Sequence, residues 1–223
     1  MVEAIKKYLN NINWKAFTAR FAIGLVSTVL SELGIGCFYA GGLGTDPISV
    51  FVDGLHFKFD LSYGTISTIC YVILTILIII FERKYLGINT ILGMFIGGPL
   101  IDLFEGLISR SFPLETTSFA IRLIILIIGV ITFGISCGMG IAIDLGIGCF
   151  QFAPIFLSDI SKIELKWTQV ITDAMFFIIG IVLGGVIGVG TIVSTLLTGP
   201  LLDIGIKQTE KFQSRFGPLY KNN

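Results

Sequence analysis

Apolar residues fall in six long blocks separated by short polar clusters, at 17–40, 61–81, 87–107, 119–143, 167–186 and 191–206. A helix needs roughly 20 apolar residues to cross a bilayer core of about 30 Å, so the pattern predicts an all-α, polytopic membrane protein with six transmembrane helices. The second block stops at Glu82-Arg83-Lys84, and residues 110–118 form a polar connector, the natural seam between two halves. Two shorter apolar pieces remain. One, at 48–55, reaches roughly 16 Å as a helix, with Asp53 and Gly54 near its end; the other is interrupted by Pro154 and closed by Ser158-Asp159. Neither is long enough to cross alone, and both are expected as re-entrant or broken helices following the first span of each half.

The short pieces open on related stretches, Gly41-Gly-Leu-Gly-Thr-Asp-Pro-Ile-Ser49 and Ile143-Asp-Leu-Gly-Ile-Gly-Cys-Phe-Gln151. Glycines release the backbone from helical geometry, Asp46 suits the cap of a new helix, and Pro47 suits its first position, where the missing N–H is not needed. An ordinary tight turn between hydrophobic helices would use the same residue types. Recurrence in both halves favours a helix break within the membrane.

That recurrence extends along the chain. At an offset of 102, Arg20 falls on Arg122, Gly36 on Gly138, Leu43 on Leu145 and Gly44 on Gly146; at 101, Gly87-Ile-Asn-Thr90 falls on Gly188-Val-Gly-Thr191, and Gly98-Pro-Leu-Ile-Asp102 on Gly199-Pro-Leu-Leu-Asp203. Repeat one therefore spans 17–109 and repeat two 119–206, each with three crossings and a half-helix, which makes them inverted relative to one another. A cytoplasmic N-terminal segment (1–16) and a cytoplasmic tail (207–223) flank them.

With the N-terminus inside, Lys6, Lys7, Lys15, Arg20, Arg83, Lys84, Lys162, Lys166, Lys207, Lys211, Arg215 and Lys221 are cytoplasmic and only Lys58, Arg110 and Arg122 lie outside, in keeping with the positive-inside bias. Parallel four-span halves, in which both short pieces cross, would leave only Arg83 and Lys84 outside, so charge does not choose between the topologies. Length and Pro154 favour three plus three. A chain that is 54% hydrophobic and 13% charged, with a mean hydropathy of +0.91, is too apolar for a soluble domain. Its zero net charge says nothing about partners, but the lack of a basic patch with interleaved aromatics argues against nucleic acid. The N-terminus is too polar for a secretory signal.

Cys37, Cys70, Cys137 and Cys149 lack the close spacing of a metal site, and His56 is the single histidine. No metal, cofactor or catalytic residue is expected, and an enzyme is the weakest of three functional classes.

The paired breaks (Leu43 to Pro47, Leu145 to Cys149), Gly188-Val-Gly-Thr191 and the two Gly-Pro-Leu-x-Asp motifs resemble the YczE/YitT group of bacterial integral membrane proteins, over roughly residues 20–206. The second break departs from that pattern, with Cys149 where Pro is expected and Phe150-Gln151 in place of a more polar pair. The resemblance implies a multi-pass cell-membrane protein and supplies no activity.

Ionisable groups within spans are costly and usually face a bundle interior. Glu32, Asp102, Asp173 and Asp203 are the candidates in the long blocks, and Gly44, Thr45, Asp46, Asp53, Asp144 and Gly148 those at the breaks, where freed N–H groups and carbonyls can hold a solute. Near span ends, Asp102 and Asp203 could equally cap or anchor helices. The leading expectation is a small carrier, or a substrate-binding membrane component, for a small polar or ionic solute, with the two breaks forming its site. Asp46 favours a cationic or zwitterionic one. No G-x-x-x-x-G-K-[ST] motif is present, so energy comes from a gradient or from a separate ATPase partner. The alternative is a non-transporting scaffold or regulator that uses small-residue faces to bind another membrane protein or a second copy of itself.

Overall fold

The computed structural model describes residues 12–219, so Lys6 and Lys7 of the expected N-terminal segment and Lys221 of the tail lie outside it. Among the described residues the blocks form eight helices and no strand: α1 (Trp14–Gly41), α2 (Pro47–Phe59), α3 (Tyr63–Phe81), α4 (Ile88–Ser111), α5 (Phe119–Ala142), α6 (Phe152–Ser161), α7 (Leu165–Val182) and α8 (Val189–Gln213). Helices α1, α3, α4, α5 and α8 are long and apolar enough to cross a membrane; α7 is shorter.

Several boundaries differ from those expected. The fifth block was expected to run to residue 186, but α7 stops at Val182 and the chain turns at Gly184, where φ is +98°. Pro154 does not interrupt its segment. It sits in the first turn of α6, where a missing N–H leaves nothing unpaired. Helix α2 continues past residue 55 to Phe59, and α8 carries the first part of the polar tail as helix to Gln213.

The centre is a bundle of α1, α4, α5 and α8, in which α5 packs on both α1 and α8 and α1 also packs on α4. Gly34 of α1 lies against Gly129 and Phe133 of α5, and Ser27 Oγ donates to the Ser136 carbonyl at 2.9 Å. Without side chains at the contact the backbones approach closely, which is how helices associate where lipid offers no hydrophobic driving force. These two helices run antiparallel, since Arg122 near the start of α5 reaches the end of α1 and Arg20 near the start of α1 reaches Ile143 just past the end of α5. Gly36 meets Phe104 and Glu105 of α4, and Gly138 meets Leu202, Gly205 and Ile206 of α8.

Helices α2, α3, α6 and α7 flank this bundle. Gly180 of α7 fits against the backbone of Val50 and Phe51, and Gly54 against Gly180 and Leu183, which locks α2 to α7. Tyr39 at the end of α1 stacks on Tyr63 at the start of α3 with centroids 3.8 Å apart, so the chain leaves and re-enters the bundle at the same end. Helix α3 then packs on α4, whereas α7 packs on α2 and α6 and makes no comparable contact with α8.

Candidate functional site

After α1 the backbone turns left-handed at Gly42 (φ +56°) and Gly44 (φ +92°). Asp46 then caps α2, its Oδ2 accepting from the N–H groups of Ile48 at 3.1 Å and Ser49 at 3.3 Å, with Pro47 in the first helical position. The second break follows the same path, with Asp144 at φ +54° and Gly146 at φ +100°. It has no side-chain cap. Gly148 precedes a single 3₁₀ turn, Cys149–Gln151, whose Cys149 Sγ lies 3.5 Å from Thr75 Oγ1.

Each break is held by the other half of the chain. The Gly190 N–H donates to the Leu43 carbonyl at 2.8 Å, and the Asn89 N–H donates to that of Leu145 at 2.9 Å. Gly44 abuts Gly188 and Thr191; Gly146 abuts Gly87 and Thr90. Thr90 Oγ1 donates to the Ile147 carbonyl at 2.6 Å. The Gly-x-x-Thr stretches are thus the cradles in which the breaks sit.

Three carboxylates project inward. Glu32 on α1, 4% exposed, accepts from the Tyr71 hydroxyl at 3.3 Å, and Gly97 of α4 leaves room for it. Asp46 is 5% exposed, and its Oδ1 is buried without a hydrogen-bond partner. Asp173 on α7 accepts from Gln169 Nε2 at 2.8 Å. No Lys, Arg or His is among the buried described residues, so nothing basic offsets these acids. An uncompensated charge in low dielectric is expensive. Aromatic rings line the same layer: Tyr71 meets Phe150 edge-on at 5.6 Å, Phe150 meets Phe176 at 5.8 Å, and Phe176 meets Phe51 at 5.3 Å. Residues beside both breaks, Phe51 and Phe150, therefore reach one wall.

Of the residues expected from sequence, Glu32 and Asp46 are buried in this interior, Thr45, 3% exposed, lies next to it, and Asp173 is half-buried at its edge. Gly44 and Gly148 shape the backbone. Asp102 stands apart as a cap for α3, accepting from Ser62 Oγ at 2.6 Å and from the Gly64 N–H at 2.7 Å. Asp144 and Asp203 are exposed. Asp53, a further candidate at the first break, is buried, accepts from the Val186 N–H at 2.6 Å and ties α2 to the loop after α7. Tyr71, Phe150 and Phe176 carried no sequence signal, because aromatic residues are spread along the whole chain. An apolar groove of about 780 Å³ lies away from the carboxylates, between Trp14, Ala22, Val26, Met139 and Phe212, and offers little to orient a polar solute.

The family of unknown function DUF6198 matches residues 18–207. The chain is 26% identical over 186 residues to the uncharacterized protein YyaS of Bacillus subtilis (strain 168), covering 83% of this chain and 92% of that protein. It is 22% identical over 191 residues to the uncharacterized membrane protein YczE of the same organism (85% and 86% covered), and 25% identical over 198 residues to an uncharacterized protein of Haemophilus influenzae (85% and 87%). No solved structure matches.

Proposed function

The chain belongs to the DUF6198 family, and from that premise we propose that it is a small carrier for a cationic or zwitterionic organic solute, held between the central bundle and the flanking helices. The single observation carrying this reading is the buried pair Glu32 and Asp46, with no buried basic partner among the described residues and with one oxygen, Asp46 Oδ1, without a hydrogen bond; the half-buried Asp173 adds a third carboxylate. Carboxylates attract a positive group, and the rings of Tyr71, Phe150 and Phe176 present faces that bind an ammonium by cation–π attraction. Glu32 comes from the central bundle and Asp173 from the flank, so a solute between them would couple the two bodies.

In this reading the protein has six crossings, in two inverted three-span halves. The antiparallel course of α1 and α5 and the stacking of Tyr39 on Tyr63 support it, because α2 then enters and returns from one side. The distribution of basic residues supports a cytoplasmic position for both termini. Opposed repeats around a midplane site are the architecture of many secondary transporters. The site performs no bond-breaking chemistry.

The test is thermal unfolding of the purified protein against small organic cations and zwitterions, tetramethylammonium and glycine betaine among them, followed by flux into proteoliposomes. A bound solute raises stability by about 2.7 kcal/mol at a hundred times its dissociation constant. Asp46→Asn retains a capping side chain and is expected to fold yet lose the response. A scaffold that only binds another membrane protein gives neither a saturable shift nor flux.

A further inference from the structure

The two halves use the same parts differently. In the first, Asp102 on α4 accepts from Ser62 Oγ and the Gly64 N–H, and Gly98 lets α3 approach so closely that a side chain there would collide with Thr68 and the Gly64 carbonyl. A carboxylate at the positive end of a helix is a natural latch. In the second half α8 retains the whole motif, Gly199-Pro200-Leu-Leu-Asp203, yet nothing lies within 4 Å of the place a Gly199 side chain would take. Asp203 is exposed and the Thr198 hydroxyl is buried with no partner. Ile192 and Leu196, on the same stripe of α8, are 64% and 68% exposed. The helix that corresponds to α3 is α7, on which Val170 and Ile171 are also exposed.

We infer that the protein has a second state, in which the N-terminal turn of α7 docks on α8 at Gly199 and Asp203 while α3 leaves Asp102, so that the two latches alternate. This rests on the carrier reading. The internal repeat names the occupant: by its offsets of 102 and 101, Thr68 beside Gly98 corresponds to Val170 beside Gly199, and Gly64 beside Asp102 to Lys166 beside Asp203. Because the halves run in opposite senses, the latches lie at opposite ends of the bundle. In the present state the Asp102 latch is engaged and the Asp203 latch is not. Docking α7 would carry Asp173 with it, and would shift α2 through the Gly54–Gly180 contact and the Asp53–Val186 hydrogen bond, moving the mouth of the site from one side of the membrane to the other.

The experiment is disulfide trapping in native membranes with Val170→Cys/Gly199→Cys, read by mass spectrometry of the linked peptides, with each single variant as background. Ser62→Cys/Asp102→Cys, whose parent side chains touch here, reports that oxidation works. The expected result is a disulfide within one chain, whose yield rises severalfold on Asp102→Asn and falls severalfold on Asp203→Asn. A disulfide between two chains, or none while the Ser62–Asp102 pair links, overturns the proposal, as does a yield that ignores both Asp substitutions. If the disulfide forms as expected in a protein with no flux and no solute-dependent stabilisation, the carrier reading fails and the alternating latch stands.

Discussion

Arg122 Nε lies 2.8 Å from the carbonyl of Gly41 and its Nη2 lies 2.7 Å from that of Gly42, so the guanidinium closes the C-terminal end of the antiparallel helix beside it. Arg20 does the same for α5 with one bond, Nη1 to the Ile143 carbonyl at 3.1 Å, and its Nε is buried without a partner. Charged donors suit the negative end of a helix dipole, and the pair staples the two halves at both ends.

Removing these staples is expected to act unequally. A hydrogen bond to a charged group contributes about 1.5–3 kcal/mol, so Arg122→Ala should cost about 3 kcal/mol and Arg20→Ala about half of that. Equilibrium unfolding in mixed micelles measures both.

The breaks make a second prediction. Gly44 and Gly146 combine positive φ with backbone contact to the opposite half. Ala at either should cost on the order of 3 kcal/mol, from left-handed strain together with displacement of Gly188 or Gly87. Gly106 in α4 has open space around it, and Gly106→Ala should instead be neutral or raise stability by up to about 1 kcal/mol. The midpoint temperatures of the three variants check the contrast.

Within the candidate site, Tyr71→Phe removes the hydroxyl that Glu32 accepts from and should destabilise by about 1–3 kcal/mol. Glu32→Gln should leave the fold intact and abolish the solute-dependent shift in unfolding temperature. Equal loss of folding in both variants would make Glu32 a packing residue.

Acid sensitivity has a traceable source at Asp159. Its carboxyl is held below the ordinary aspartate value by the Tyr85 hydroxyl and then by the Lys84 ammonium 3.0 Å away. A folded-state pKa below the unfolded one contributes stability that is present above the unfolded value of about 3.9 and is lost as pH falls toward the lowered one. The unfolding temperature of the parent should therefore fall more steeply below about pH 4 than that of Asp159→Asn. The group is exposed, so the parent's advantage at neutral pH should be small, and the two should converge as the carboxyl is protonated.

Much of the molecule was legible because it depends on local chemistry. Block length and apolarity separate α2 and α6 from six longer blocks, five of which form helices long enough to cross a membrane while the sixth, α7, is shorter, and Gly-x-Gly followed by Asp46-Pro47 specifies a left-handed turn and a cap wherever it is folded. The pairing of Arg20 with Arg122 and of Asp102 with Asp203 was also visible as a repeat in the chain. What those pairs do was not: one pair caps carbonyls in the opposite half, and the other divides into an engaged cap and an exposed carboxylate.

The sequence by itself determined where helices start, stop and break, since these follow from propensity, hydropathy and backbone freedom within a few residues. Tertiary structure alone decided that the breaks rest on Gly87 and Gly188, that Tyr71 meets Glu32, and that α3 covers α4 while α7 leaves α8 bare. Those are contacts between residues some forty to a hundred and more positions apart. They are selected by how helices pack in three dimensions, which no local pattern of residues contains.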